Sequence, residues 1–270
     1  MKRLLTAALL CLPALGAIAA ELPPEIAKNG IKVAIVPNYP PMEFKDPATG
    51  QLSGFDVDLG EALAKKLGIK LAWQETSFDQ MMPAIATGRV DAILSGMTDY
   101  KSRQETATFI DYMKSGPQFF VQKAREGEFK EMKAVCGKKV GASRRTNFPK
   151  EIAAWSEANC GGNAIQFVGT EGSADARTQL KQGRIDAAAQ GSETLPYAQQ
   201  NEPGKYRILG APFAIGYQGL MFRKNDNALR ETVTATLAAM IKDGSYKAVL
   251  DKYGLGANAV AEPKLNASPQ

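Results

Sequence analysis

Gly88-Arg89-Val90-Asp91-Ala92 recurs, almost unchanged, as Gly183-Arg184-Ile185-Asp186-Ala187. Each copy follows a segment with helical spacing and leads into a short apolar run that ends in glycine, Gly96 in one case and Gly191 in the other. A glycine that closes a helix and opens a buried apolar run is the joint an αβ unit needs. Its repetition predicts two similar α/β lobes facing one cleft. Arg89, Asp91, Arg184 and Asp186 precede their strands, at the sheet end away from the cleft, so they are expected to stabilise turns or form ion pairs rather than bind a ligand.

Upstream of the first copy, residues 32–36 read as a buried strand. Leu59, Ala62, Leu63 and Leu67 line one helix face, and Gly68 follows as a stop. A strand over 70–74, a helix over 78–86 and a strand over 92–94 complete a βαβαβ order, which implies parallel strands with right-handed crossovers. Around the second copy, strands are expected near Lys139, Ile165, Ala187 and Tyr206. The chain then returns through 219–222 into a helix with Leu229, Val233, Leu237, Met240 and Ile241 on one face, closed by Gly244. The expected organisation is lobe 1 over 21–117 and 219–256, lobe 2 over 124–210, a two-segment hinge at 118–123 and 211–218, and a frayed tail over 257–270. Each lobe should be an α/β layer structure with a mostly parallel sheet flanked by helices.

Length and composition suit this plan: 270 residues with 44% hydrophobic and 23% charged content can fill two modest cores. Lys2 and Arg3, an apolar stretch over 4–15 and the small residues Ala17-Ile18-Ala19-Ala20 read as a secretory signal over 1–20, too short and too broken by Pro13 and Gly16 for a membrane span. The mature chain is therefore expected to be cleaved, soluble and periplasmic. Cys11 follows Leu10, where lipid attachment would want a small residue. Loss of Lys2 and Arg3 lowers the formal charge of +5 by two, an excess that suits an anionic solute and excludes nucleic acid as a partner.

Cys136 and Cys160 each stand just before a strand of the second lobe, and in an oxidising compartment a disulfide is the favoured reading over a reactive or metal-binding thiol pair. The chain has no histidine, which excludes a Ser-His-Asp triad, a His-ligated metal and a His general base. Nothing in the sequence calls for a metal or cofactor.

Several motifs in order, Tyr39-Pro40-Pro41-Met42-Glu43-Phe44, Gly54-Phe55-Asp56-Val57-Asp58-Leu59, the first repeat, Lys101-Ser102-Arg103-Gln104 and Asp243-Gly244-Ser245-Tyr246, resemble the family 3 periplasmic solute-binding proteins, the receptors of polar amino-acid ABC importers. The resemblance implies a two-lobed fold, a small-molecule ligand, membrane transporter subunits as partners and a monomer. Ligands of open α/β sheets lie beyond the carboxyl ends of strands. Ser95, Gly96 and Thr98 therefore point into the cleft as oxyanion donors, and Arg103 can pair with a carboxylate, like the family's carboxylate clamp. Tyr39 and Phe78 match its aromatic walls, although Phe78 also fits a core position at a helix entry. Thr146 and Asn147 align with a hydrogen-bonding loop of the second lobe, where Arg145 replaces the usual glycine.

Two departures bear on the ligand. Gly191 stands where an acid usually holds the ligand ammonium, with Glu193 as a substitute, and Val36 replaces another acid near the first strand end. The resemblance implies a receptor for a polar amino acid or related small carboxylate, not an enzyme. Two other readings remain open: a cyclohexadienyl dehydratase-like enzyme using Glu193 as its acid, and an exported partner of a periplasmic dehydrogenase.

Overall fold

The computed structural model describes residues 22–269, and the signal expected over 1–20 lies outside them. The first part of the chain forms α1 (Pro24–Asn29), β1 (Ile31–Ile35), β2 (Asn38–Tyr39), β3 (Glu43–Lys45), β4 (Leu52–Ser53), α2 (Phe55–Leu67), β5 (Leu71–Glu75), α3 (Phe78–Ala86), β6 (Ala92–Ile93), α4 (Lys101–Gln104) and β7 (Ala107–Ser115). The middle part forms β8 (Pro117–Gln122), β9 (Lys139–Ser143), α5 (Phe148–Cys160), β10 (Gln166–Thr170), α6 (Ser173–Lys181), β11 (Ala187–Gly191), α7 (Leu195–Asn201) and β12 (Tyr206–Leu209). The last part returns through β13 (Gly216–Arg223), α8 (Asn227–Asp243), α9 (Ser245–Lys252) and β14 (Ala259–Leu265).

The strands assemble into a six-stranded sheet, β14-β7-β13-β6-β1-β5, and a five-stranded sheet, β10-β9-β11-β8-β12, one in each lobe. In both, the strands generated by the βαβ repeat run parallel, β1 with β5 and β6, β9 with β10 and β11. The strands that cross between lobes add the antiparallel half. A small antiparallel sheet, β2-β3-β4, sits on the rim of the first lobe.

The two copies of the repeat do the same work. Gly88 (φ 71°) and Gly183 (φ 70°) adopt the left-handed conformation that ends α3 and α6. Asp91 then accepts a hydrogen bond from the backbone N–H of Lys32 at 2.9 Å, and Asp186 accepts one from Lys139 at 3.0 Å. Each aspartate so fastens the start of the neighbouring parallel strand. Arg223 stands 3.6 Å from Asp91 and Arg125 3.0 Å from Asp186. These residues are structural, far from the cleft.

Each sheet buries both faces. In the first lobe Phe55, Leu59, Phe222 and Met240 pack on one side and Met81, Ile85, Ile93 and Phe109 on the other. In the second, Phe119 faces Val140 and Ile152 while the adjacent Phe120 faces Leu180 and Leu195, the alternation a central strand requires. Each such side chain contributes about 1.5–3 kcal/mol by leaving water. Cys136 and Cys160 form the disulfide, with Cα atoms 5.3 Å apart.

Two boundaries differ from the sequence reading. Residues 118–123, expected as hinge, fall almost wholly in β8, because Phe119, Phe120 and Val121 are buried in the second lobe; the outward crossing is confined to the step from Ser115 to Pro117. The tail expected to fray instead pairs through β14 with β7 and closes that edge of the first sheet. Its small, unalternating residues and Pro263 conceal the strand, and only Val260 of its seven residues is buried.

Candidate functional site

A cavity of about 380 Å³ opens between the lobes, within the range of small-molecule sites. Its first-lobe wall carries Val36, Tyr39, Phe78, Ser95, Gly96, Thr98 and Arg103, and its second-lobe wall Thr146, Asn147, Phe148 and Glu151. Eight of the nine ligand residues expected from the sequence thus share one cavity. Glu193, the ninth, does not line it.

Arg103 reaches the cavity from α4. Its guanidinium carbon lies 5.1 Å from the centroid of the Tyr100 ring and 5.6 Å from that of Phe78, so two aromatic rings flank the cation. Nη1 donates to the carbonyl of Thr98 at 2.7 Å, which fixes the fork. Burial pulls its pKa down, yet an arginine at this depth stays charged. No ion pair to Arg103 occurs among the described residues. Phe78 lines the cavity beside the Arg103 guanidinium and also packs on the first-lobe core, so it stands in both of the places the sequence left open.

The loop after β6 corrects one expectation. Ser95 Oγ accepts from the N–H of Val36 at 3.0 Å and donates to Glu43 Oε1 at 2.9 Å, while the N–H of Gly96 donates to Asp56 Oδ2 at 2.6 Å. Both expected oxyanion donors are spent inside the lobe, because two carboxyls lie directly beneath them. Glu43 is 2% exposed and Asp56 wholly buried. Burial, together with the neighbouring Asp56, raises Glu43 well above the ordinary carboxylate range, and burial lifts Asp56 to about 6. Glu43 Oε2 and Asp56 Oδ1 are buried oxygens without a donor. A single proton held by Glu43 and shared with Asp56 satisfies both. This pair was missed in the sequence, although Glu43 and Asp56 both lie in the quoted motifs.

Glu193 sits just beyond β11 and is wholly buried. Tyr39 donates its hydroxyl to Oε1 at 2.6 Å, Gln218 Nε2 donates to the same oxygen at 2.8 Å, and Ser115 Oγ donates to Oε2. All three donors stand on first-lobe strands, β2, β13 and β7, so this carboxylate joins the lobes at the cleft floor. Burial and Glu193 together push the Tyr39 hydroxyl pKa well up, keeping it protonated as a donor. The vacant side-chain position at Gly191 is what the Glu193 carboxylate fills: a Cβ there would stand 2.1 Å from Glu193 Oε1 and 2.5 Å from the Tyr39 hydroxyl.

On the second-lobe wall, Thr146 Oγ1 donates to the Ser143 carbonyl at 3.0 Å and accepts from the N–H of Phe148 at 3.2 Å, capping the entry to α5. Asn147 makes no side-chain cap there. Arg144 and Arg145 both pair with Glu171, Arg145 at 3.3 Å and 55% exposed, so one carboxylate serves two cations. Further contacts bridge the cleft: the Tyr100 hydroxyl donates to Glu151 Oε1, and the rings of Phe44 and Tyr197 stand 5.7 Å apart. The lobes are closed.

Comparison with known proteins agrees with this geometry. The model of the bacterial extracellular solute-binding proteins, family 3, matches residues 31–256. The arginine-binding protein ArgT of Corynebacterium glutamicum is 29% identical over 93% of this chain and 83% of its own. The L-arginine-binding protein of Pseudomonas aeruginosa is 31% identical over 88% of this chain and 94% of its own. A solved structure of the ancestral amino acid-binding protein AncCDT-1, a precursor of cyclohexadienyl dehydratase, matches with a TM-score of 0.73 at 29% identity, covering 85% of this chain and 97% of that one.

Proposed function

Since the chain belongs to the bacterial extracellular solute-binding proteins of family 3, we propose that it is an exported receptor of an ABC importer. It captures a small carboxylate, a polar amino acid or a related acid, between lobes that close on it. The observation that carries this reading is Arg103, a cation braced by Phe78 and Tyr100, which lines the interlobe cavity and forms no ion pair among the described residues. Relatives named for arginine binding support the class of solute. Solute entering the open cleft shifts the hinge equilibrium toward the closed form by its extra contacts there, and the closed form is what membrane subunits recognise.

Each part of the chain has a place in that cycle. Arg103 fixes the carboxylate. Tyr39 and Phe78 wall the solute, and Thr146 and Asn147 approach from the second lobe on closure. The signal-like segment 1–20 directs export to the periplasm.

The dehydratase reading needs a carboxylic acid in the cleft. Glu193 was its candidate, and three donors hold that side chain beneath the floor. AncCDT-1 keeps the reading alive by kinship, and incubation with prephenate or arogenate tests it: release of an aromatic product would establish an enzyme. The receptor reading is tested by calorimetry against amino acids and small carboxylates, and absence of any binder would end it.

A further inference from the structure

We propose that residues 266–268 position the clamp: they hold Asp99, and through it the loop and helix that present Thr98, Tyr100 and Arg103 to the solute. The inference rests on the receptor reading, in which Arg103 takes the solute carboxylate. It gives a part in binding to a segment beyond the family match, which ends at residue 256.

The link is a short chain of hydrogen bonds. Asp99 stands between Thr98, whose carbonyl fixes the Arg103 fork, and Tyr100, whose ring flanks the guanidinium. Asp99 is wholly buried. Its Oδ1 accepts from Gln104 Nε2 at 2.8 Å, and its Oδ2 accepts from the backbone N–H of Ser268 at 3.0 Å. One carboxylate therefore ties α4, the helix that carries Arg103, to the end of the chain.

That end is itself fastened to β7. The N–H of Phe109 donates to Asn266 Oδ1 at 2.8 Å, and the N–H of Ala267 donates to Asp111 Oδ2 at 2.9 Å. Asn266 has φ 48°, a left-handed turn off the end of β14, after which two consecutive N–H groups meet two buried carboxyls, Asp111 and Asp99. Burial lifts Asp111 to about 7, with the Ala267 N–H opposing the rise and the Asp99 charge adding to it.

On its other side the clamp loop leans on β13. The N–H of Asp99 donates to the Tyr217 carbonyl at 2.9 Å, and the N–H of Gly219 to the Met97 carbonyl at 2.9 Å. Those bonds hold the backbone of 97–99 and leave the Asp99 carboxylate to Gln104 and Ser268. Without residues 266–268, Asp99 Oδ2 and Asp111 Oδ2 lose these donors inside the lobe, and a buried carboxylate short of a donor is costly. Relief comes from water entering or from a shift of the loop, and either loosens Thr98, Tyr100 and α4.

The test compares the mature protein with a chain ended after Leu265, at a temperature where circular dichroism shows both folded. Calorimetry uses L-arginine, L-histidine and L-glutamate, each beside its α-carboxamide. Any of these acids that binds should lose about fivefold or more in affinity on truncation, and its advantage over the carboxamide should shrink, since the clamp reads the carboxylate. A segment that only stabilised the fold would lower the melting temperature and leave both quantities unmoved, which overturns the inference. Hydrogen exchange without solute should rise over 97–104 in the shortened chain; unchanged exchange there overturns the inference while the receptor reading stands. If neither this panel nor a wider set of small carboxylates binds the intact protein, the receptor reading fails and takes the inference with it. Ser268→Pro removes one N–H of the link, keeps the rest of the segment, and serves in place of the truncation if that chain misfolds. Asp99→Ala in the shortened chain should add little further loss, because both changes cut one link; losses that add in full would show two separate roles and overturn the assignment.

Discussion

The Tyr100 hydroxyl donates to Glu151 Oε1 at 2.9 Å across the cleft, while its ring lies 5.1 Å from the Arg103 guanidinium carbon. One side chain thus braces the clamp and ties the lobes together. Tyr100→Phe keeps the ring and removes the tie. Loss of one such hydrogen bond is worth about 1 kcal/mol, or about fivefold in affinity. Small-angle scattering should show a larger open fraction without solute, and an unchanged open fraction would remove this contact from the closing mechanism.

Arg103→Ala should abolish capture while leaving the fold intact, because among the described residues the guanidinium makes no ion pair and one hydrogen bond, to Thr98. Two charge-assisted bonds of about 1.5–3 kcal/mol each amount to a loss of at least about a hundredfold. Calorimetry with the cognate solute reads it. Arg103→Lys should recover little, since a point charge cannot reproduce the fork.

Stability should fall as pH rises toward and past neutrality. Burial holds Asp56 at about 6 and Asp111 at about 7, and raises Glu43 as well. These groups titrate near 4 in the unfolded chain. Their contribution is therefore fully present below about pH 4 and is lost as pH climbs through about 6 to 7. The melting temperature at pH 5 should exceed that at pH 8, and Asp56→Asn should flatten the slope. A profile of equal steepness in that variant would show that the titrating group lies elsewhere.

Replacing Cys136 and Cys160 together by serine should cost roughly 3 kcal/mol in the chain-entropy account of a crosslink that spans 24 residues. The closed loop contains α5, which carries Glu151 and Phe148 to the cavity. Thermal unfolding should begin earlier, with affinity at 25 °C largely kept. Early loss of affinity at that temperature would mean that the bridge also sets the cleft wall.

Local signals were read well from the sequence. Asp91 and Asp186 declared themselves through their repeated context, and Arg103 through its place after a strand end. What stayed hidden depends on distant partners. Nothing near Ser95 or Gly96 says that their donors are taken, because Glu43 and Asp56 arrive from β3 and α2. Glu193 looked available because Tyr39, 154 positions away, is invisible from its own segment. The strand at 259–265 was masked for a related reason: backbone pairing to β7 holds it, with little apolar alternation to betray it.

Ser115 and Gly216 face one another in register at the ends of β7 and β13. Cut between them, the first lobe would need only a tight turn to become an ordinary hairpin protein. The second lobe is in this sense a cassette spliced into a loop, open to exchange with a foreign one while the body that holds Arg103 remains whole.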